Sequence, residues 1–176
     1  MKLLLAFLCT ILFFPQSDSK KIPWNENKKL TWEDFQGTPI PSANFVASTN
    51  TGISFQYSYS LKNGDVSVEY TVASFFYPEK SWFQPGKVNQ HILNHEQAHF
   101  DISELHARIL RKNLADKTYT KKVKSEIEGI YRKVEQERRA MQVRFDAETD
   151  HSRNVEKEAL WEKQIAKQLV NYESWK

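Results

Sequence analysis

Between Asn44 and Pro78 apolar and polar positions alternate. Ile53, Phe55, Tyr57 and Tyr59 take every second place, and beyond Asn63-Gly64 so do Val66, Val68, Tyr70 and Val72. A period of two belongs to a β-strand with one buried face, and Asn-Gly favours the left-handed backbone that closes a two-residue hairpin. The stretch therefore predicts a β-hairpin whose aromatic and branched residues form a sheet core. Upstream, "LTWEDFQG" predicts a short helical turn, with Thr31 as its cap, Asp34 at the capping-box distance and Gly37 at its end. Pro39 and Pro41 then favour extended chain.

After "SWFQPGK" the period lengthens to about 3.6 residues. Ile92, His95, Ala98, His99, Ile102, Leu105, His106 and Ile109 recur at helical spacing to about Leu114, and from about Tyr119 the chain reads as two further helices broken near "DAETDHS". Strands first and helices after is an α+β order. A chain of 176 residues with no internal repeat fits one domain.

The N-terminus changes the picture of where that domain works. "MKLLLAFLCTILFF" is apolar but too short to span a bilayer comfortably, and polar "PQSDSKK" follows it. This predicts a signal peptide over residues 1–19, with an uncleaved anchor as the alternative, and residues 20–176 as a single secreted or periplasmic domain that has no stable membrane span. The sole cysteine, Cys9, lies inside the apolar run, so the mature chain would hold no disulfide, and any metal in it would be bound by His, Asp or Glu. The net charge of +3 is unchanged by cleavage, because Lys2 and Asp18 leave together. Charges of both signs are interspersed, which gives no nucleic-acid footprint.

The candidate chemistry lies in "HEQAH". On a helix His95 and His99 stand one turn apart on one face and can both offer nitrogen to one ion, while Glu96 sits beside it without binding. There Glu96 is placed to take a proton from a water that the ion acidifies and to pass it to a leaving amine. The alternative is the polar face of an ordinary helix. A catalytic zinc needs a third protein ligand. His106 is about 10 Å along the axis from His99, and His91 would make three nitrogens span about 12 Å of one straight helix, so neither completes the set. Asp101 points away by helical angle and suits a structural role or that of a carboxylate behind the ligands. The break at "FDAETDHS" is the remaining source, with His151 as first choice and Glu148 and Asp150 behind it. Tyr131 and Tyr119 are candidate oxyanion stabilisers by residue type only.

In this order, "LTWEDFQG", "STNTGISFQYS", "HEQAHFDISELHARIL" and "FDAETDHS" resemble the bacterial secreted family catalogued as DUF922, which is grouped with zincin-type metallopeptidases. The resemblance runs from about Leu30 to the C-terminus. It implies a zincin-like fold, zinc at His95 and His99, and Glu96 as catalytic base. It supplies no substrate, and the glycine-containing continuation of metzincins is absent. The resulting expectation is a zinc-dependent metallohydrolase, foremost a peptidase holding its substrate extended along an edge strand. A non-catalytic metal-containing binding module and an amidase acting on cell-wall peptide bonds are the alternatives.

Overall fold

The computed structural model describes residues 20–176, so the expected signal peptide lies outside it. Among the described residues five strands precede three α-helices: β1 (Ile22–Pro23), β2 (Ala47–Ser48), β3 (Thr51–Lys62), β4 (Asp65–Phe76), β5 (Trp82–Phe83), α1 (Gln90–Ala115), α2 (Val123–Thr149) and α3 (Val155–Asn171). β1, β4 and β3 make one antiparallel sheet in that order, and β2 pairs with β5 in a second. This is an α+β domain. Among the described residues no helix is long and apolar enough to cross a membrane.

The long hairpin forms where alternation and turn chemistry agree. Asn63 and Gly64 have φ of 52° and 93°, the left-handed pair a tight hairpin turn needs. The register sets Phe55 opposite Val72 and Tyr57 opposite Tyr70, so both apolar rows share one face. That face packs on Ala107, Leu110 and Leu114 of α1 and on Val123, Ile127 and Val134 of α2. Toward the hairpin turn Tyr59 is 43% and Leu61 48% exposed, so Tyr59 is not the core residue the alternation implies.

Thr31 and Asp34 form the expected capping box, but on a single 3-10 turn, Trp32–Asp34, which Phe35 closes. Gly37 has a different task from ending it. Its N–H donates to the Ser81 carbonyl at 2.8 Å, and a Cβ at Gly37 would lie 2.8 Å from that same oxygen and 2.9 Å from the Glu79 carbonyl. Glycine is required by the close approach of two backbones.

α1 is the central element. Asn89 caps it by accepting from the Ile92 N–H at 3.0 Å. One side of α1 meets the sheet. Another, through Ala98 and Ile102, packs with Phe145 of α2 and with Trp161 and Ile165 of α3. Asp101 accepts from the Trp24 indole at 2.7 Å and from the Gln97 amide at 2.8 Å, so it ties the N-terminal segment to α1. That is the structural role its helical angle suggested.

Candidate metal centre

Because α1 is unbroken, His95 and His99 project one turn apart, and both are buried. Phe145, fully buried on α2, forms the floor beneath them: the His95 ring stacks on it at 4.5 Å, and the His99 ring meets it edge-on at 5.2 Å. The residue after Phe145 on α2 is Asp146. Its Oδ1 lies 3.2 Å from His95 Nε2 and 2.9 Å from His99 Nε2. The three donor atoms lie within 4.8 Å of one another. A tetrahedral ion with bonds of about 2.0–2.1 Å would separate its ligand atoms by roughly 3.3 Å. The two separations from Asp146 Oδ1 are close to that edge.

The surroundings fix the tautomer of His99 at this position. Gln142 donates through Nε2 to the His99 carbonyl at 3.3 Å and to Ser103 Oγ at 3.2 Å, which leaves its Oε1, 3.2 Å from His99 Nδ1, to accept. With the proton on Nδ1, the His99 Nε2 lone pair faces Asp146 and His95. Two imidazole nitrogens and one carboxylate oxygen, beside an open pocket, form a donor set suited to zinc. The residues present fit the ion that the family resemblance implies.

Between themselves these groups share protons strongly. Burial would raise the Asp146 carboxyl, but hydrogen bonds from His95 and His99 hold it below the usual carboxylate range. Burial would lower His95, yet the carboxylates of Asp146, Glu158 and Glu96 outweigh it and raise the ring to about 9. Glu96 is 4% exposed, and its Oε2 has no hydrogen-bond partner. Burial pushes this carboxyl up, while the two histidines and Thr49 oppose the shift. Glu96 lines the pocket together with His95, His99 and Asp146, opposite the chain from Phe45 to Thr49 that carries β2.

Among the described residues the donor cluster holds Asp146 beside the two histidines and does not include His151. The reason is where α2 stops. The helix continues through Thr149, so Asp146 is still in register with α1, whereas Asp150, His151 and Ser152 turn left-handed with φ of 48°, 51° and 69°. That turn carries His151 to the pocket rim, where its ring stacks on Phe45 at 5.8 Å and its Nδ1 lies 3.8 Å from Asp146 Oδ1. Glu148 accepts from the Trp161 indole at 2.9 Å, and Asp150 pairs with Arg153 at 3.3 Å. Neither belongs to the donor cluster.

His91 lies beside the site rather than in it, with Nε2 2.8 Å from the Ser152 carbonyl. His106 is buried, with its Nδ1–H directed to the Ile102 carbonyl at 2.8 Å on its own helix. The two tyrosines proposed as oxyanion stabilisers are elsewhere: Tyr131 stacks on Phe55 at 5.2 Å, and the Tyr119 hydroxyl donates to the Leu114 carbonyl at 2.9 Å. Both pack with the hairpin core.

Sequence reading missed Asp146 and Gln142. A signal existed. Buried positions on α2 include Val134, Arg138, Phe145 and Thr149, and Gln142 and Asp146 continue that stripe as polar residues pointed at a helix that already carries two histidines.

The fold and site thus define an α+β domain with a candidate His-His-Asp metal centre on its central helix. Residues 33–152 match the family described as a bacterial protein of unknown function, DUF922, and the chain belongs to that family. No curated protein and no solved structure compared with the chain matches it.

Proposed function

We propose that this is a secreted or periplasmic zinc-dependent metallohydrolase of zincin type, most simply a peptidase. The observation that carries the reading is the convergence of His95 Nε2, His99 Nε2 and Asp146 Oδ1 beside the buried carboxyl of Glu96 in one open pocket. His95, His99 and Asp146 would hold the zinc. When bound, the ion supplies Lewis-acid polarisation of a carbonyl oxygen and makes water a competent nucleophile near neutral pH.

The protein's own groups do the rest. Glu96 has a buried oxygen without a partner and a carboxyl pushed up by burial, so its proton affinity is nearer that of a working general base than an exposed carboxylate's would be. It removes a proton from the attacking water and delivers it to the leaving amine as the C–N bond breaks. Phe145 keeps both imidazoles in place from below. The chain from Val46 to Thr49 borders the pocket and offers extended backbone for an extended peptide.

Glu96→Gln in residues 20–176 tests the reading, because it keeps shape and removes the base. About one zinc per chain should remain bound, and hydrolysis of unfolded protein substrates should fall by at least about 100-fold. Loss of zinc together with activity would make Glu96 a ligand. Zinc in both proteins with hydrolysis in neither, cell-wall peptides included, would make the domain a metal-containing binding module.

A further inference from the structure

Glu158, in the first turn of α3, is 1% exposed, and neither of its carboxylate oxygens has a hydrogen-bond partner. His95 Nδ1 is likewise buried and without one. A buried carboxylate is strongly unfavourable unless a positive or donating group faces it, and a buried imidazole nitrogen is little better off. These two orphans face each other: Glu158 Oε2 lies 3.4 Å from His95 Nδ1, so an adjustment of a few tenths of an ångström makes the bond. The other imidazole near Glu158 is already engaged. His91 Nε2 is 3.5 Å from Glu158 Oε2 but only 2.8 Å from the Ser152 carbonyl, where its proton is directed.

We propose that Glu158 is a positioning residue of the metal centre, accepting the His95 Nδ1–H and so turning the His95 Nε2 lone pair toward His99 and Asp146. The inference rests on the metal reading above and extends it. Gln142 does for His99 what Glu158 does for His95, and the two acceptors come from different helices. Of the two, only Glu158 carries a carboxyl group. With Asp146 and Glu96 it places three carboxyl groups around the histidine pair, so the protein's own side chains can offset the charge of a divalent ion. Glu158 lies outside the family match of residues 33–152, so α3 adds to this site a group that the matched segment does not contain.

The test measures zinc affinity of residues 20–176 by competition with a chromophoric chelator, and follows the His95 Nδ1–H by NMR of the zinc-loaded, 15N-histidine-labelled protein. Glu158→Gln keeps an oxygen acceptor but loses the charge, and should weaken zinc by about 10-fold; Glu158→Leu loses both, and should weaken it by about 100-fold. The His95 Nδ1 proton should exchange slowly in wild type and measurably faster in Glu158→Gln, which a merely structural Glu158 would not produce. Glu156→Gln removes the same charge from an exposed position of the same turn and should change neither readout. Wild type that takes up no zinc overturns the metal reading itself. Wild type that binds zinc, with Glu158→Gln and Glu158→Leu binding equally well or with an unchanged His95 Nδ1 signal in Glu158→Gln, overturns the role of Glu158 alone.

Discussion

Substituting Asp146 should separate the tertiary site from the one that residue chemistry alone suggests. Asp146→Asn preserves volume and helix register but replaces the anionic oxygen that lies 3.2 Å from His95 Nε2 and 2.9 Å from His99 Nε2 with a neutral amide. Loss of an outer partner of a metal ligand typically costs 10- to 100-fold in affinity. A direct anionic ligand should exceed that range, so the zinc Kd should rise by at least about 100-fold, or about 2.7 kcal/mol. His151→Ala is the matched comparison. That side chain is 43% exposed, lies outside the donor cluster and has its Nδ1 3.8 Å from Asp146 Oδ1, so the zinc Kd should change by less than about 3-fold, the scale of an exposed ion pair. Chelator competition on both variants, with circular dichroism to establish folding, gives the two numbers side by side. If His151→Ala loses zinc while Asp146→Asn retains it, the left-handed turn at residues 150–152 rearranges on binding, and Asp146 is not the third ligand.

Two stability effects follow from the same packing. Phe145 is fully buried between the two histidines and Trp161, so Phe145→Ala should lower unfolding free energy by about 3–5 kcal/mol in urea titration; a loss below about 1 kcal/mol would mean that the floor of the site is not packed as described. His106 is buried, and burial lowers its pKa below the ordinary value of 6.5, with Arg138 adding to the shift and the Ile102 carbonyl, Glu137 and Glu135 opposing it. The unfolded chain therefore takes up this proton at higher pH than the folded one, so the stability it contributes is present above about pH 6.5 and is lost as pH falls below it. The stability of wild type relative to His106→Gln should decline as pH falls below about 6.5, and a difference that is flat with pH would contradict a buried neutral ring.

What could be read from the sequence was what neighbours along the chain determine. The hairpin follows from a period of two and from an Asn-Gly pair that tolerates φ of 52° and 93°. The pairing of His95 with His99 follows from helical spacing within one turn, and the capping box at Thr31 from a separation of three. The order of strands then helices was equally visible. Tertiary structure decided the rest, because it depended on where separate elements meet. Gly37 reads as a helix end until Ser81 and Glu79 are brought against it. Among the polar residues near the α2–α3 break, side-chain chemistry favours His151, but the register of α2 on α1 brings Asp146 to the two histidines, since a helix that runs to Thr149 turns residue 146 inward and leaves residue 151 on the rim. Glu158 was least legible of all. In sequence it is one acidic residue in a charged helix turn, and only the docking of α3 buries it against His95. Local spacing determines which groups of one element can act together, whereas the packing of α1, α2 and α3 determines which groups of the others reach them.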